Sequence, residues 1–123
     1  MKIVLLGKNG QLGWEFERSL PALGNVVALD REELDLCDLH EVQRILSELK
    51  PDVIVNASAY TDVDRAEREP ELAMKVNALA PGVIAEASRQ MRSVLVHFST
   101  DYVFDGSTNR PYTETDPTNP LNV

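Results

Sequence analysis

The chain has one cysteine, no long apolar run, few aromatic residues and little positive charge, and each shortage removes a class of protein. A lone Cys37 forms no internal disulfide, so a disulfide-stapled secreted scaffold is excluded and a reducing, cytoplasmic setting is the simpler expectation. With no basic neighbourhood in the sequence to activate it, Cys37 reads as a structural thiol. The first apolar run, Ile3 to Leu6, is shorter than the roughly 7–15 residues of a signal-peptide core and far shorter than the roughly 20 of a membrane span. Neither export nor a membrane partner is expected. Twelve Lys and Arg stand against twenty Asp and Glu, a formal charge of -8, which argues against a nucleic-acid backbone as partner. An anionic ligand would have to be held by local dipoles instead.

What is present is the composition of one ordinary globular domain, with 43% hydrophobic residues over 123 positions. Lys2–Leu6 reads as a strand buried on both faces, ending at Gly7. Leu12, Phe16 and Leu20 recur every four residues and predict a helix from Gln11, closed by Pro21 and Gly24. A strand over residues 25–30 follows, then a capping-box signature at Asp38 and Glu41 opening a helix that Lys50-Pro51 ends. Further strands are expected over 52–57 and 94–98, with a helix over about 71–91 that contains Pro81. After Gly106 the residues are those of turns and loops. This alternation predicts an α/β fold, a doubly wound parallel Rossmann-type sheet with strand order 3-2-1-4-5, completed by a short strand near Leu34. In such sheets ligands bind beyond the carboxyl ends of the strands.

Four segments there carry chemistry. Gly7-Lys8-Asn9-Gly10-Gln11-Leu12-Gly13 has a G-x-x-G-x-x-G spacing between a strand and a helix, where glycines let the backbone approach a pyrophosphate and the helix N-terminus offers unpaired N–H groups. Asp30, 20 residues after Gly10, is placed to accept ribose hydroxyls, favouring NAD, while Arg31 leaves NADP open; the alternative is an aspartate that caps a turn. Small residues at 57–59 suit the floor of a cleft. Thr100, Asp101 and Tyr102 form either a carbonyl-binding group or an ordinary polar strand exit. His97 reads as a packed or hydrogen-bonded core histidine and Trp14 as packing. Tyr102 and Phe104 either fill the core or hold a flat ring. Pro81 leaves the Asn77 carbonyl without its helical partner, free either to hold a water or simply to mark a kink.

Gly-Lys-Asn-Gly-Gln-Leu-Gly at 7–13, Asn-Ala-Ser-Ala-Tyr-Thr-Asp-Val-Asp at 56–64, Ser-Thr-Asp-Tyr-Val-Phe-Asp-Gly at 99–106 and Pro-Leu-Asn-Val at 120–123 together resemble the dTDP-4-dehydrorhamnose reductases, relatives of the extended short-chain dehydrogenases. The resemblance runs the whole chain. It implies NAD(P)H-dependent reduction of the 4-keto group of a dTDP-sugar, dTDP-4-dehydro-L-rhamnose, in the supply of rhamnose for surface polysaccharide. It also implies pyrophosphate contacts at Gly10, Gln11 and Leu12, a ribose ligand in Asp30, an adenine contact through Asp35 and Leu36, and a cofactor and substrate floor at Ala59, Tyr60 and Thr61. Thr100 matches the catalytic hydroxyl, with Asp101 and Tyr102 beside it in the substrate contact. Some relatives hold Mg2+ near a subunit interface, so Glu15 either matches such a ligand or is an exposed helix glutamate, and no metal site is assigned. A homodimeric parent is expected.

The family pattern continues beyond Asn122-Val123 with a Tyr-x-x-x-Lys that these 123 residues lack, so the tyrosine and lysine of the catalytic triad are expected to lie beyond Val123. The expectation is therefore an NAD(P)-binding domain over 1–123, without that pair or the C-terminal substrate domain, and inactive alone. Two rival functions remain. One is a non-catalytic dinucleotide-binding protein like the regulatory subunit of methionine adenosyltransferase, which shares the Asp-Tyr-Val-Phe-Asp-Gly stretch; the other is a sugar-nucleotide epimerase or dehydratase.

Overall fold

The computed structural model describes residues 1–123. Strand β1 (Lys2–Leu6) is followed by helix α1 (Gln11–Ser19), a 3-10 turn (Leu20–Ala22), β2 (Asn25–Leu29), α2 (Leu39–Leu49) and β3 (Val53–Asn56). Two short helices, α3 (Val63–Ala66) and α4 (Pro70–Met74), lead through a π-helical turn (Lys75–Leu79) into α5 (Ala80–Met91) and β4 (Val94–His97). The strands form one parallel sheet in the order β2-β1-β3-β4.

Alternation along β1 explains the two layers. Val4 and Leu6 face one side, where they pack with Ile54, Val42 and Leu46 of α2, and Ile84 and Ala87 of α5. Ile3 and Leu5 face the other side, where Val55 joins them beneath Phe16 of α1 and Leu20 of the 3-10 turn. Each of these strand side chains is almost fully removed from water, worth about 1.5–3 kcal/mol apiece against an exposed reference. The second face is covered only by α1, so β4 is bare there: Val94 and Val96 remain 59% and 40% exposed.

Local signals set the element ends. The Asp38 side chain accepts the Glu41 N–H and caps α2, while the Glu41 carboxylate pairs with Arg44 instead of closing the other half of the expected box. Lys50 ends α2 in the left-handed conformation, ahead of Pro51.

The doubly wound parallel architecture and the neighbour order around β1 are as expected from the sequence, but the short strand near Leu34 does not form. The Leu34 N–H bonds the Asp30 carbonyl, Asp35 accepts the Cys37 N–H through its side chain, and the Asp35 carbonyl takes the Asp38 N–H. These aspartate turns use the backbone groups a ladder would need. Leu34 and Leu36 still reach the core, from a turn.

Candidate functional site at the carboxyl edge of the sheet

Register places Leu29, Leu6, Asn56 and His97 side by side at the carboxyl ends of the four strands. The segments after them, beginning at Asp30, Gly7, Ala57 and Phe98, therefore share one edge of the sheet. Three contacts tie them together. The Gly7 and Lys8 N–H groups donate to the Leu29 carbonyl, Gly7 lies against Ser58, and Phe98 packs on Phe16 with ring centroids 5.5 Å apart.

The three loop glycines have different reasons to be there. Gly7 has φ +85, and a Cβ on it would lie 2.6 Å from Ser58 Oγ. A Cβ on Gly13 would lie 1.9 Å from the Gly7 carbonyl oxygen, so both glycines are demanded by the fold. Gly10 is not: its φ of -77 and ψ of 170 suit any residue, and a Cβ there meets the Gly7 carbonyl oxygen at 3.4 Å and the Ala57 carbonyl oxygen at 4.0 Å, without a clash. Its missing side chain leaves open space in front of α1, whose first turn has no side-chain cap and no acidic residue. That is the environment an incoming anion requires.

Asp30 is tied to the same loop. Asn9 Nδ2 donates to its Oδ2 at 2.5 Å, and the Glu32 and Glu33 N–H groups donate to Oδ1 at 2.9 and 3.4 Å. Partial desolvation raises its pKa, but these N–H bonds together with the Lys8 charge and Asn9 outweigh it and hold the carboxyl below its ordinary value. Glu33 returns the contact by accepting the Asp30 N–H at 2.9 Å, and Lys8 Nζ donates to both Glu33 oxygens, at 2.8 and 2.6 Å. The sequence reading missed Lys8, Asn9 and Glu33. The Asp-x-x-Glu spacing at 30–33 is the signal that marks such a reciprocal pair.

Further along the edge, Asp35 is half-buried and Leu36 is buried in the core, 7% exposed, so an adenine would meet mainly the Leu36 backbone. Cys37 beside them is half-buried; desolvation and then the Asp35 carboxylate raise its thiol pKa, as suits a structural residue. The Ala59-Tyr60-Thr61 segment is clamped by Asn77, whose Oδ1 accepts the Tyr60 N–H at 2.8 Å and whose Nδ2 donates to the Tyr60 carbonyl at 3.0 Å. The Tyr60 phenol donates to Glu69 at 2.7 Å. At the β4 exit, Thr100 Oγ1 accepts the Tyr102 N–H and donates to Asp101 Oδ1, both at 3.2 Å.

Several expectations change. His97 is exposed rather than packed in the core; it is hydrogen-bonded, its Nδ1 meeting Asn56 Nδ2 at 3.2 Å. Asn56 is 1% exposed, and its Oδ1 is taken by the Ser58 N–H, so its amide donates and the histidine Nδ1 accepts. Trp14 does not pack into the core: it is exposed, with the Arg18 guanidinium 4.5 Å above its ring. Phe104 and Tyr102 part company, since Phe104 stacks on Tyr112 at 4.1 Å whereas Tyr102 stays open to solvent. No three His, Cys, Asp or Glu side chains group to hold a metal ion, and Glu15 is an exposed glutamate on α1. Val123, after which the catalytic tyrosine and lysine are expected, is exposed and donates its N–H to Glu67 at 3.0 Å, against the C-terminal cap of α3. Its aliphatic side chain carries no catalytic group, and of the expected triad only Thr100 stands among these residues.

Two concavities lie away from this edge. One is an open, partly apolar groove of about 310 Å³ along α2 and α5, lined by Gln43, Leu79, Gly82 and Val83. The other, of about 440 Å³, lies inside the loop 105–119.

Comparison with known proteins agrees with the fold. The dTDP-4-dehydrorhamnose reductase of Burkholderia thailandensis is 53% identical over 123 residues, covering all of this chain and 41% of that protein. The crystal structure of a dTDP-4-dehydrorhamnose reductase from Clostridium acetobutylicum superposes with a TM-score of 0.94 at 40% identity, over 99% of this chain and 44% of that one. That of the Bacillus anthracis reductase in complex with NADP gives 0.93 at 36% identity, over 98% and 43%. The chain thus spans about two fifths of the length of the curated relatives it matches. The RmlD substrate binding domain family matches residues 1–123, the entire chain, and the chain belongs to that family.

Proposed function

We propose that residues 1–123 form the NAD(P)-binding domain of a protein that reduces the 4-keto group of dTDP-4-dehydro-L-rhamnose to dTDP-L-rhamnose, for polysaccharide synthesis. The observation that carries this is Gly10, a glycine the fold does not need, standing before an uncapped helix and beside a carboxylate at the end of the next strand. A bound NAD(P)H supplies the hydride.

The chain's residues bind and orient. The Gln11 and Leu12 N–H groups, on the loop shaped by Gly7, Gly10 and Gly13, face the pyrophosphate. Asp30 accepts the ribose hydroxyls in place of Asn9, and Asp35 with the Leu36 backbone borders the adenine. Ala59, Tyr60 and Thr61 form the floor, held in place by Asn77. Thr100 keeps its Tyr102 N–H contact through a lone pair and turns its O–H from Asp101 to the substrate carbonyl oxygen, stabilising the charge that develops there. Asp101 and the open Tyr102 line the sugar nucleotide. No Tyr-x-x-x-Lys occurs within the 123 residues, so this chain does not supply that proton donor. A cytoplasmic homodimer is proposed for the whole protein.

The test is cofactor oxidation by the whole protein with dTDP-4-dehydrorhamnose, for wild type and Thr100→Val. We expect dTDP-L-rhamnose in step with the NAD(P)H consumed, and kcat lowered by about 10²–10³-fold in the variant. A changed sugar with no net cofactor consumption would assign an epimerase or dehydratase. Cofactor binding without any sugar conversion would point to a regulatory role.

A further inference from the structure

Lys8 and Glu33 form an ion pair at the ribose corner that the reductase reading leaves unused. The Lys8 ammonium is bonded to both Glu33 oxygens and lies 3.5 Å from the Ala28 carbonyl, with its side chain only 21% exposed. Glu33 in turn is fixed to the Asp30 backbone, and Asp30 to Asn9. The corner therefore holds two carboxylates and one ammonium, with that ammonium already engaged. The other cation nearby, Arg31, is 78% exposed and reaches Asp35 only at 3.8 Å.

We propose that Glu33 is a specificity-determining residue: by holding Lys8, it keeps the ribose corner selective for a free 2′-hydroxyl over a 2′-phosphate. The inference rests on the dinucleotide reading of the glycine loop and Asp30. A 2′-phosphate brings a charge of about -1.5 to -2. Beside Asp30 and Glu33 it is repelled, and it reaches Lys8 only by displacing Glu33. A 2′-hydroxyl carries no charge, and Asp30 accepts its hydrogen bond without disturbing the pair. Replacing Glu33 with glutamine removes one negative charge and frees the ammonium. It also keeps a side-chain oxygen able to accept the Asp30 N–H, so the turn at 30–33 is retained.

The experiment is titration of this 123-residue chain with 5′-AMP and with adenosine 2′,5′-bisphosphate, followed by amide NMR and calorimetry. Wild type, Glu33→Gln, and the double variant Glu33→Gln with Lys8→Met are compared. The ratio of the two dissociation constants is expected to move toward the bisphosphate by roughly tenfold in Glu33→Gln, the scale of one additional charge-assisted hydrogen bond. This preference should shrink at 0.5 M salt, where the Debye length falls to about 4 Å, and vanish in the double variant. If 5′-AMP leaves Gly10, Gln11 and Leu12 unshifted in wild type, the dinucleotide reading itself fails. If 5′-AMP binds there but Glu33→Gln leaves the ratio within about twofold of wild type, only the role of Glu33 is overturned. A shift that survives loss of Lys8 would overturn the part given to the ammonium.

Discussion

At the scale of single residues, the loop glycines separate a folding requirement from a binding one. Gly13→Ala drives a methyl group into the Gly7 carbonyl, where the facing atom is backbone and cannot swing away. A loss of about 1–3 kcal/mol is expected in urea unfolding, with a displaced loop. Gly10→Val meets no comparable obstacle inside the protein, so its stability should change by less than about 1 kcal/mol while NAD(P) affinity falls at least about tenfold by calorimetry. Equal losses of stability in the two variants would show that Gly10 too is there for the fold. The G-x-x-G-x-x-G spacing was legible in the sequence, but this division of labour was not, because it depends on which atoms of the neighbouring loops approach each Cα.

Asp105 gives a pH dependence at the same scale. Its carboxylate accepts from Asn119 Nδ2, the Ser107 N–H and the Tyr112 phenol, and these bonds hold its pKa well below the carboxylate range. Asn119 also donates its own N–H to the Val103 carbonyl, so the loop folds back onto the strand exit. A carboxyl depressed in the folded state stabilises fully above its unfolded pKa of about 3.9, and that contribution is lost as pH falls through the folded value. Thermal stability of the wild type should thus drop more steeply below about pH 4 than that of Asp105→Asn, which has already lost the charge. Parallel pH profiles would remove Asp105 from this role.

At the scale of elements, Pro81 shows where pattern reading stops. A proline inside an apolar-periodic helix signals a kink, and the structure answers with a π-helical turn over Lys75–Leu79, in which the Ala80 N–H reaches back to the Lys75 carbonyl. The Asn77 side chain is brought onto the Tyr60 backbone, a pairing across 17 residues that no local pattern encodes. Asn77→Ala should cost about 0.5–1.5 kcal/mol in thermal unfolding and raise amide exchange at Tyr60, as suits the loss of two partly exposed hydrogen bonds. Unchanged exchange at Tyr60 would mean that the clamp does not form in solution. Strands β1 and β3 were legible because they are continuous apolar runs buried on both sides. The expected strand at Leu34 misread burial as pairing: Leu34 and Leu36 are core residues, yet Asp30 and Asp35 bend their backbone into turns. Trp14 and His97 failed for the related reason that a helix or strand face counts as core only where another layer covers it.

At the scale of the whole molecule, the uneven covering of the sheet has a consequence. Val94, Val96 and Phe98 are partly open to water at the edge strand, on the face that α1 alone shields. An apolar edge of this kind pairs with other copies, and the charge of -8 opposes it. Sedimentation velocity should find self-association of this chain that increases with salt and falls in Val96→Lys. A monomer at all concentrations and salt levels would contradict that.

The central claim, that the glycine loop and Asp30 hold a dinucleotide, is most directly tested by titrating the chain with NAD and following its backbone amides. The account predicts shifts concentrated at Gly7–Gly13, Asp30, Asp35 and Ala59–Thr61, none of that pattern in Gly10→Val, and an unshifted loop over 105–119. Shifts confined to the α2 and α5 groove or the 105–119 loop, or an identical pattern in Gly10→Val, would contradict it.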